Sequence, residues 1–204
     1  MKLLIFGSSL VRDLQFFDTE DFHFIRAIRF KFIYRPYSGQ SFEYILAKPH
    51  LIDKALKCKP DYVLVIFGAN SISTEVEKKT VLESCRNFYN LLYERLMQIN
   101  SRAKVIATEI PMRYVYTFDH DTPQPEEYRK FRRSMNSKIE CLKSKHHILR
   151  LSGQDRLENE ICLKDGVHYT PQALDTFFTL IIKVLQYILD KDNLAYCTSL
   201  SYQL

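Results

Sequence analysis

A three-layer α/β/α sandwich on a parallel sheet of about five strands is predicted by three observations. Short runs at 3–6, 62–67, 103–108 and 148–151 are largely apolar, the composition of strands covered on both faces. Segments with apolar residues at helical spacing lie between them. Three predicted strands lead into polar turns: Gly7-Ser8-Ser9, Ser38-Gly39-Gln40 and Gly68-Ala69-Asn70. If these strands are parallel neighbours, all three turns share one edge of the sheet.

Each element has its own signal. Leu3, Leu4, Ile5 and Phe6 form the first strand and deliver Gly7-Ser8-Ser9 at its carboxyl end, where open α/β sheets bind ligands. Residues 10–17 supply a helical turn or two. Ile28, Phe30, Phe32 and Tyr34 alternate with Arg29, Lys31 and Ile33, the period of a strand with one wetter face. Arg35-Pro36-Tyr37-Ser38-Gly39-Gln40 is turn chemistry. A helix is expected over 41–56, carried by Phe42, Ile45, Leu46, Leu51, Ile52 and Leu56 and interrupted by Pro49.

Residues 62–67 are the strongest strand of the chain. Val81, Cys85, Phe88, Leu92, Leu96 and Ile99 then mark a long helix over 78–99. A strand over 103–108 stops at Pro111, and 113–125 is a loop. Residues 126–142 read as a helix whose first turn carries Glu126 and Glu127, signs that suit the helix dipole. After the short strand at 148–151, Thr170 is an N-cap and Pro171 a first helical residue for a helix running to about Leu189. The tail 191–204 has no strong period and is expected to be loose, outside a single domain of 1–190.

A length of 204 residues fits one domain, and 46% hydrophobic residues exclude a disordered chain. The formal charge of +5 permits contact with phosphates or anionic surfaces without demanding it. Cys58, Cys85, Cys141, Cys162 and Cys197 are odd in number and form no CxxC pair, the usage of reduced structural thiols. Residues 3–6 are too short for a signal-peptide core, and every stretch long enough to cross a bilayer carries charges. An intracellular, cytoplasmic setting is expected.

The polar turns supply the parts of an acyl-transfer site. Such chemistry needs a nucleophile, an adjacent base and a group that fixes the base. Ser9 is the candidate nucleophile; Ser8 is the alternative, but the spacing from Gly7 favours Ser9. Asp165 and His168, three apart in a loop, can present both side chains on one face. His168 would then take the Ser9 proton while Asp165 holds its other ring nitrogen. Negative charge developing in the reaction needs waiting donors. Gly39 offers an unobstructed backbone N–H, Asn70 a side-chain N–H, and Ser9 its own amide. Alone, Ser9 reads as an ordinary serine of a strand-to-helix turn; the other three stretches change that reading.

In this order and spacing, Gly7-Ser8-Ser9-Leu10, Gly39, Gly68-Ala69-Asn70 and Asp165-Gly166-Val167-His168 resemble the conserved blocks of the SGNH (GDSL-type) hydrolases. The likeness spans most of the chain. Asp-Gly-Val-His-Tyr before a final helix also resembles the esterase domains of animal retrotransposon proteins. The family implies a flavodoxin-like sandwich and hydrolysis of carboxylic esters with no metal and no cofactor. It implies Ser9, Asp165 and His168 as the triad, and Ser9, Gly39 and Asn70 as the oxyanion hole. Two positions depart from its pattern: Ser8 and Ser71 stand where the family usually has aspartate.

Other clusters have blander readings. His146-His147 and Asp119-His120-Asp121 could suggest metal ligands, but adjacent histidines point apart and no third ligand stands at helical spacing from them. No metal is expected. Arg26, Arg29, Lys31 and Arg35 interleave with Phe30, Phe32, Tyr34 and Tyr37, and Arg129, Lys130, Arg132 and Arg133 crowd the fourth helix, that over 126–142. A solvated face is the default reading of both sets. The alternative is contact with RNA or a protein partner, on a weakly active or inactive module of the same fold.

Overall fold

Strands without polar alternation have no face to offer water, so they belong in the middle of a sheet covered on both sides. The computed structural model describes residues 1–17, 30–72, 77–110, 125–146, 149–151 and 169–201, and among them the apolar runs 3–6, 62–67 and 103–108 take inner positions of the sheet. Among the described residues the strands are β1 (Lys2–Gly7), β2 (Lys31–Pro36), β3 (Tyr62–Ile66), β4 (Lys104–Thr108) and β5 (Leu149–Leu151). They form one sheet of five strands in the order β2-β1-β3-β4-β5, each pair parallel.

The helices are α1 (Ser9–Phe17), α2 (Phe42–Ala47), α3 (His50–Leu56), α4 (Lys78–Ile99), α5 (Pro125–His146) and α6 (Pro171–Ser201). α2 to α5 cover one face, where Leu4, Phe6, Val63 and Val65 meet Phe42, Ile52, Phe88 and Tyr128. α1 and α6 cover the other, where Leu3, Ile5, Leu64 and Ile66 meet Val11, Leu14, Phe177 and Ile181. The predicted sandwich is therefore present, with alternate strand residues feeding opposite cores.

β2 lies next to β1 at the end of this strand order, and its burial shows why it alternates. Phe32 and Tyr34 pack on the α6 side and Ile33 on the other, while Lys31 and Arg35 are exposed. The strand lies later than the alternation over 28–34 suggests, because pairing with β1 continues through Phe6↔Arg35 and Gly7↔Pro36. Pro49 divides the segment 41–56 as expected: α2 ends before it and α3 begins after it.

α6 carries Pro171–Asp190, a stretch of mean hydropathy 1.3, long and apolar enough to cross a membrane by composition. Here it is a core helix: Ala173, Phe177, Phe178, Ile181, Leu185 and Ile188 are buried on the sheet. The helix continues to Ser201, past the Leu189 at which the apolar period ends. Cys58, Cys85 and Cys141 are free thiols, and burial pushes Cys85 up to about 12.

Gly7 has no space for a side chain. A β-carbon there would overlap the Ile66 carbonyl oxygen and lie 2.7 Å from Val11 Cγ2. The overlapping Ile66 atom is backbone, which cannot swing aside. Gly7→Ala is expected to cost about 3 kcal/mol in urea unfolding; a loss below about 0.5 kcal/mol would contradict this packing.

Candidate active site

The site follows from where three neighbouring strands stop. Gly7 pairs with Pro36 on one side and Ile66 on the other, so the chain leaves β1, β2 and β3 at one level. The crossover from β1 to β2 runs through α1 on one face; that from β2 to β3 runs through α2 and α3 on the other. Connections diverging in this way open a crevice at the carboxyl end of the sheet.

The turn after β1 is pinned to both neighbours. The Gly7 carbonyl accepts from Tyr37 N at 2.6 Å, and Ser8 N donates to the Ile66 carbonyl at 3.0 Å. Val11 N returns to the Ser8 carbonyl at 3.1 Å, closing the first turn of α1. Ser8 is buried, 8% exposed. Ser9 is half-buried and is the first residue of α1. Its amide belongs to the opening turn of a helix, where N–H groups lack intrahelical acceptors and the dipole favours negative charge.

Gly39 occupies the third position of the turn Tyr37-Ser38-Gly39-Gln40, closed by Gln40 N on the Tyr37 carbonyl at 3.2 Å. Its φ of +73° is the left-handed value that a type II turn assigns to glycine there. The space around it is open: a β-carbon would meet nothing within 4 Å. Beneath this turn, the Tyr37 hydroxyl donates to the Leu51 carbonyl at 3.3 Å. Burial raises the phenol above its ordinary value, partly offset by Arg35, so it stays protonated as a donor.

Asn70 rides on a single 3-10 turn, Ala69–Ser71, entered through Gly68 at φ +117°. Its Nδ2 donates to the Gln40 carbonyl at 3.2 Å. Because β2 and β3 flank β1, this bond reaches across the end of β1. The next residue makes a second tie: Ser71 Oγ accepts from Phe42 N at 2.9 Å. The Ser71 hydroxyl is thus a buried acceptor between the same two loops.

Support also comes from α5. A β-carbon on Gly68 would lie 2.7 Å from Ile110 Cδ1, so Ile110 closes directly on the asparagine turn. The Ile110 peptide is held from both sides, its N–H by Asn136 Oδ1 at 2.9 Å and its carbonyl by Arg132 Nε at 2.5 Å. Asn136 and Arg132 are 8% and 5% exposed.

The structure brings Ser9, Gly39 and Asn70 to one edge. Asp165 and His168 lie outside the described residues, as do Arg26, Arg29, Asp119, His120, Asp121 and His147. Arg132 does not belong with the surface cations. It falls on the face of α5 that carries Tyr128, Met135 and Ile139, and its guanidinium is spent on Ile110. Lys31 and Arg35 are exposed on β2, and Arg129, Lys130 and Arg133 on α5; Lys130 pairs with Glu126 at 3.1 Å. These described cations sit toward opposite ends of the sheet, since α5 connects β4 to β5. Three strand spacings, about 14 Å, separate β2 from β4.

No protein-family model matches this chain, and no curated protein does. Solved structures match over most of its length. A lipase/acylhydrolase from Enterococcus faecalis aligns at TM-score 0.62 and 20% identity, covering 90% of this chain and 94% of that one. An acetyl esterase variant crystallised with acetate ion aligns at 0.67 and 16% identity, covering 93% and 99%. A carbohydrate esterase family 3 protein from Talaromyces cellulolyticus aligns at 0.67 and 15%, also covering 93% and 99%. The chain has the fold of the SGNH hydrolases. The nearer resemblance to retrotransposon esterase domains finds no support among these structures.

The buried clamp has a measurable cost. Arg132→Ala leaves the Ile110 carbonyl without this donor and empties packed volume, an expected loss of about 3 kcal/mol in urea unfolding. Arg129→Ala, on the exposed side of the same helix, should change stability by less than about 0.5 kcal/mol. Equal effects from the two variants would contradict the clamp.

Proposed function

We propose that this chain is a serine ester hydrolase that cleaves small acyl or acetyl esters through an acyl-enzyme. The observation that carries the proposal is the convergence at one sheet edge of three elements. Ser9 heads α1, Gly39 sits in its open turn, and the Asn70 amide is oriented by Gln40. The greater exposure of Ser9 than of buried Ser8 supports Ser9 as the group a substrate meets. The esterase neighbours support the reaction class, and the acetyl esterase with acetate ion supports a short acyl group.

In this mechanism Ser9 Oγ attacks the ester carbonyl carbon and His168 takes its proton. Asp165 orients the imidazole and stabilises its charged form. The carbonyl oxygen becomes an oxyanion that accepts from the amides of Ser9 and Gly39 and from the Asn70 side chain. Collapse breaks the bond to the alcohol oxygen, which leaves with the proton from His168. Water, deprotonated by His168, attacks the acyl-serine through the same oxyanion. The carboxylic acid departs and the proton returns to Ser9. The donors operate by preorganisation: each typically contributes about 3 kcal/mol to the barrier.

A fluorophosphonate probe should label the wild-type protein at a single site, and p-nitrophenyl acetate should be hydrolysed faster than longer-chain esters. Ser9→Ala should abolish labelling and turnover together, while Ser8→Ala keeps labelling. Labelling that survives Ser9→Ala would overturn the assignment.

A further inference from the structure

We infer that Ser71 is a positioning residue for the oxyanion hole: its hydroxyl acts through Asn70 and the Gly39-Gln40 turn and does not itself touch substrate. This rests on the esterase reading above. Two adjacent residues of the β3 loop, Asn70 and Ser71, bond to Gln40 and Phe42, two apart in the β2 loop. The bonds run in opposite senses. Asn70 donates to the Gln40 carbonyl, and Ser71 accepts from the Phe42 amide. Together they fix both the separation and the tilt of the two loops, which one bond alone leaves free to pivot.

The Ser71 end of this pair is the rigid one. Ser71 is 3% exposed, and Phe42 is fully buried. The Phe42 ring lies 5.0 Å from that of Phe88 and 6.1 Å from that of Phe67, so its backbone is anchored in the core. The bond also does something local chemistry has not done. α2 already has its own N-cap, since Ser41 Oγ accepts from Tyr44 N at 3.3 Å. The Phe42 amide at the start of the same helix is taken instead by a side chain from the asparagine loop. The hydroxyl therefore ties the donor-bearing turn to the core, and the Asn70–Gln40 bond transmits that placement to the Gly39 turn.

The test measures kcat and KM separately on p-nitrophenyl acetate, with active sites counted by phosphonate titration. Ser71→Ala should lower kcat about 10–100-fold, less than the 10²–10³-fold typical for losing an oxyanion donor outright, and should leave KM within about threefold. Ser71→Thr, which keeps the hydroxyl, should recover most of the rate. In an Asn70→Ala background, Ser71→Ala should cost little more, because Ser71 acts through the Asn70–Gln40 link that Asn70→Ala already removes. Should Ser71→Ala fail to fold, Ser71→Cys keeps the shape with a weak sulfur acceptor and should give an intermediate kcat. An unchanged kcat per titrated site in Ser71→Ala or Ser71→Cys, with only a lower melting temperature, would overturn the positioning role. So would effects of Asn70→Ala and Ser71→Ala that simply multiply. A wild-type protein that turns over no ester would remove the esterase reading itself, which separates the two failures.

Discussion

The close approach of β1 to β3 at Gly7 is the constraint on which the described site depends. With no β-carbon at this position, the Ile66 carbonyl can sit against the Gly7 backbone and still accept from Ser8 N. That bond and the one from Tyr37 N to the Gly7 carbonyl set the height at which Ser9 leaves the sheet. A parallel sheet then places the ends of β2 and β3 on either side at the same height. The fold's core contributes rigidity to this arrangement. Phe6, Phe42, Phe67 and Phe88 form a packed aromatic group directly beneath the loops that carry the candidate donors.

Much of this could be read from residue types because the signals were local. Fully apolar strands announce a covered sheet, and glycine after a strand announces a close approach or a positive φ. Gly7 and Gly68 turned out to be both crowded and, for Gly68, left-handed. Pro49 split a helix because a proline ring cannot continue one. What stayed hidden was tertiary pairing of polar side chains. The Ser71–Phe42 bond joins residues 29 apart, and no spacing rule connects them. Arg132 looked like its neighbours in a basic run. The signal that separates it is helical phase, because with Asn136 it falls on the stripe of Tyr128, Met135 and Ile139.

Burial also reshapes the electrostatic picture. A run of four cations on α5 becomes three exposed ones once Arg132 is spent on Ile110, and one of the three is paired with Glu126. The described cations of β2 lie toward the opposite end of the sheet. The described cations of β2 and α5 are therefore divided between the surface and an internal clamp. By contrast, the candidate donors gather at a single edge, where the Asn70 side chain bonds the residue after Gly39 and backbone bonds hold the turn before Ser9, the kind of order that electrostatic preorganisation requires.

The central claim is that Ser9, Gly39 and Asn70 surround one oxyanion. It is tested most directly by a crystal structure of the protein after reaction with a small fluorophosphonate. The account predicts phosphorus bonded to Ser9 Oγ. It also predicts a phosphoryl oxygen about 2.7–3.1 Å from the Ser9 and Gly39 amides and from Asn70 Nδ2. An adduct on another residue, or a phosphoryl oxygen turned away from these three donors, would contradict it.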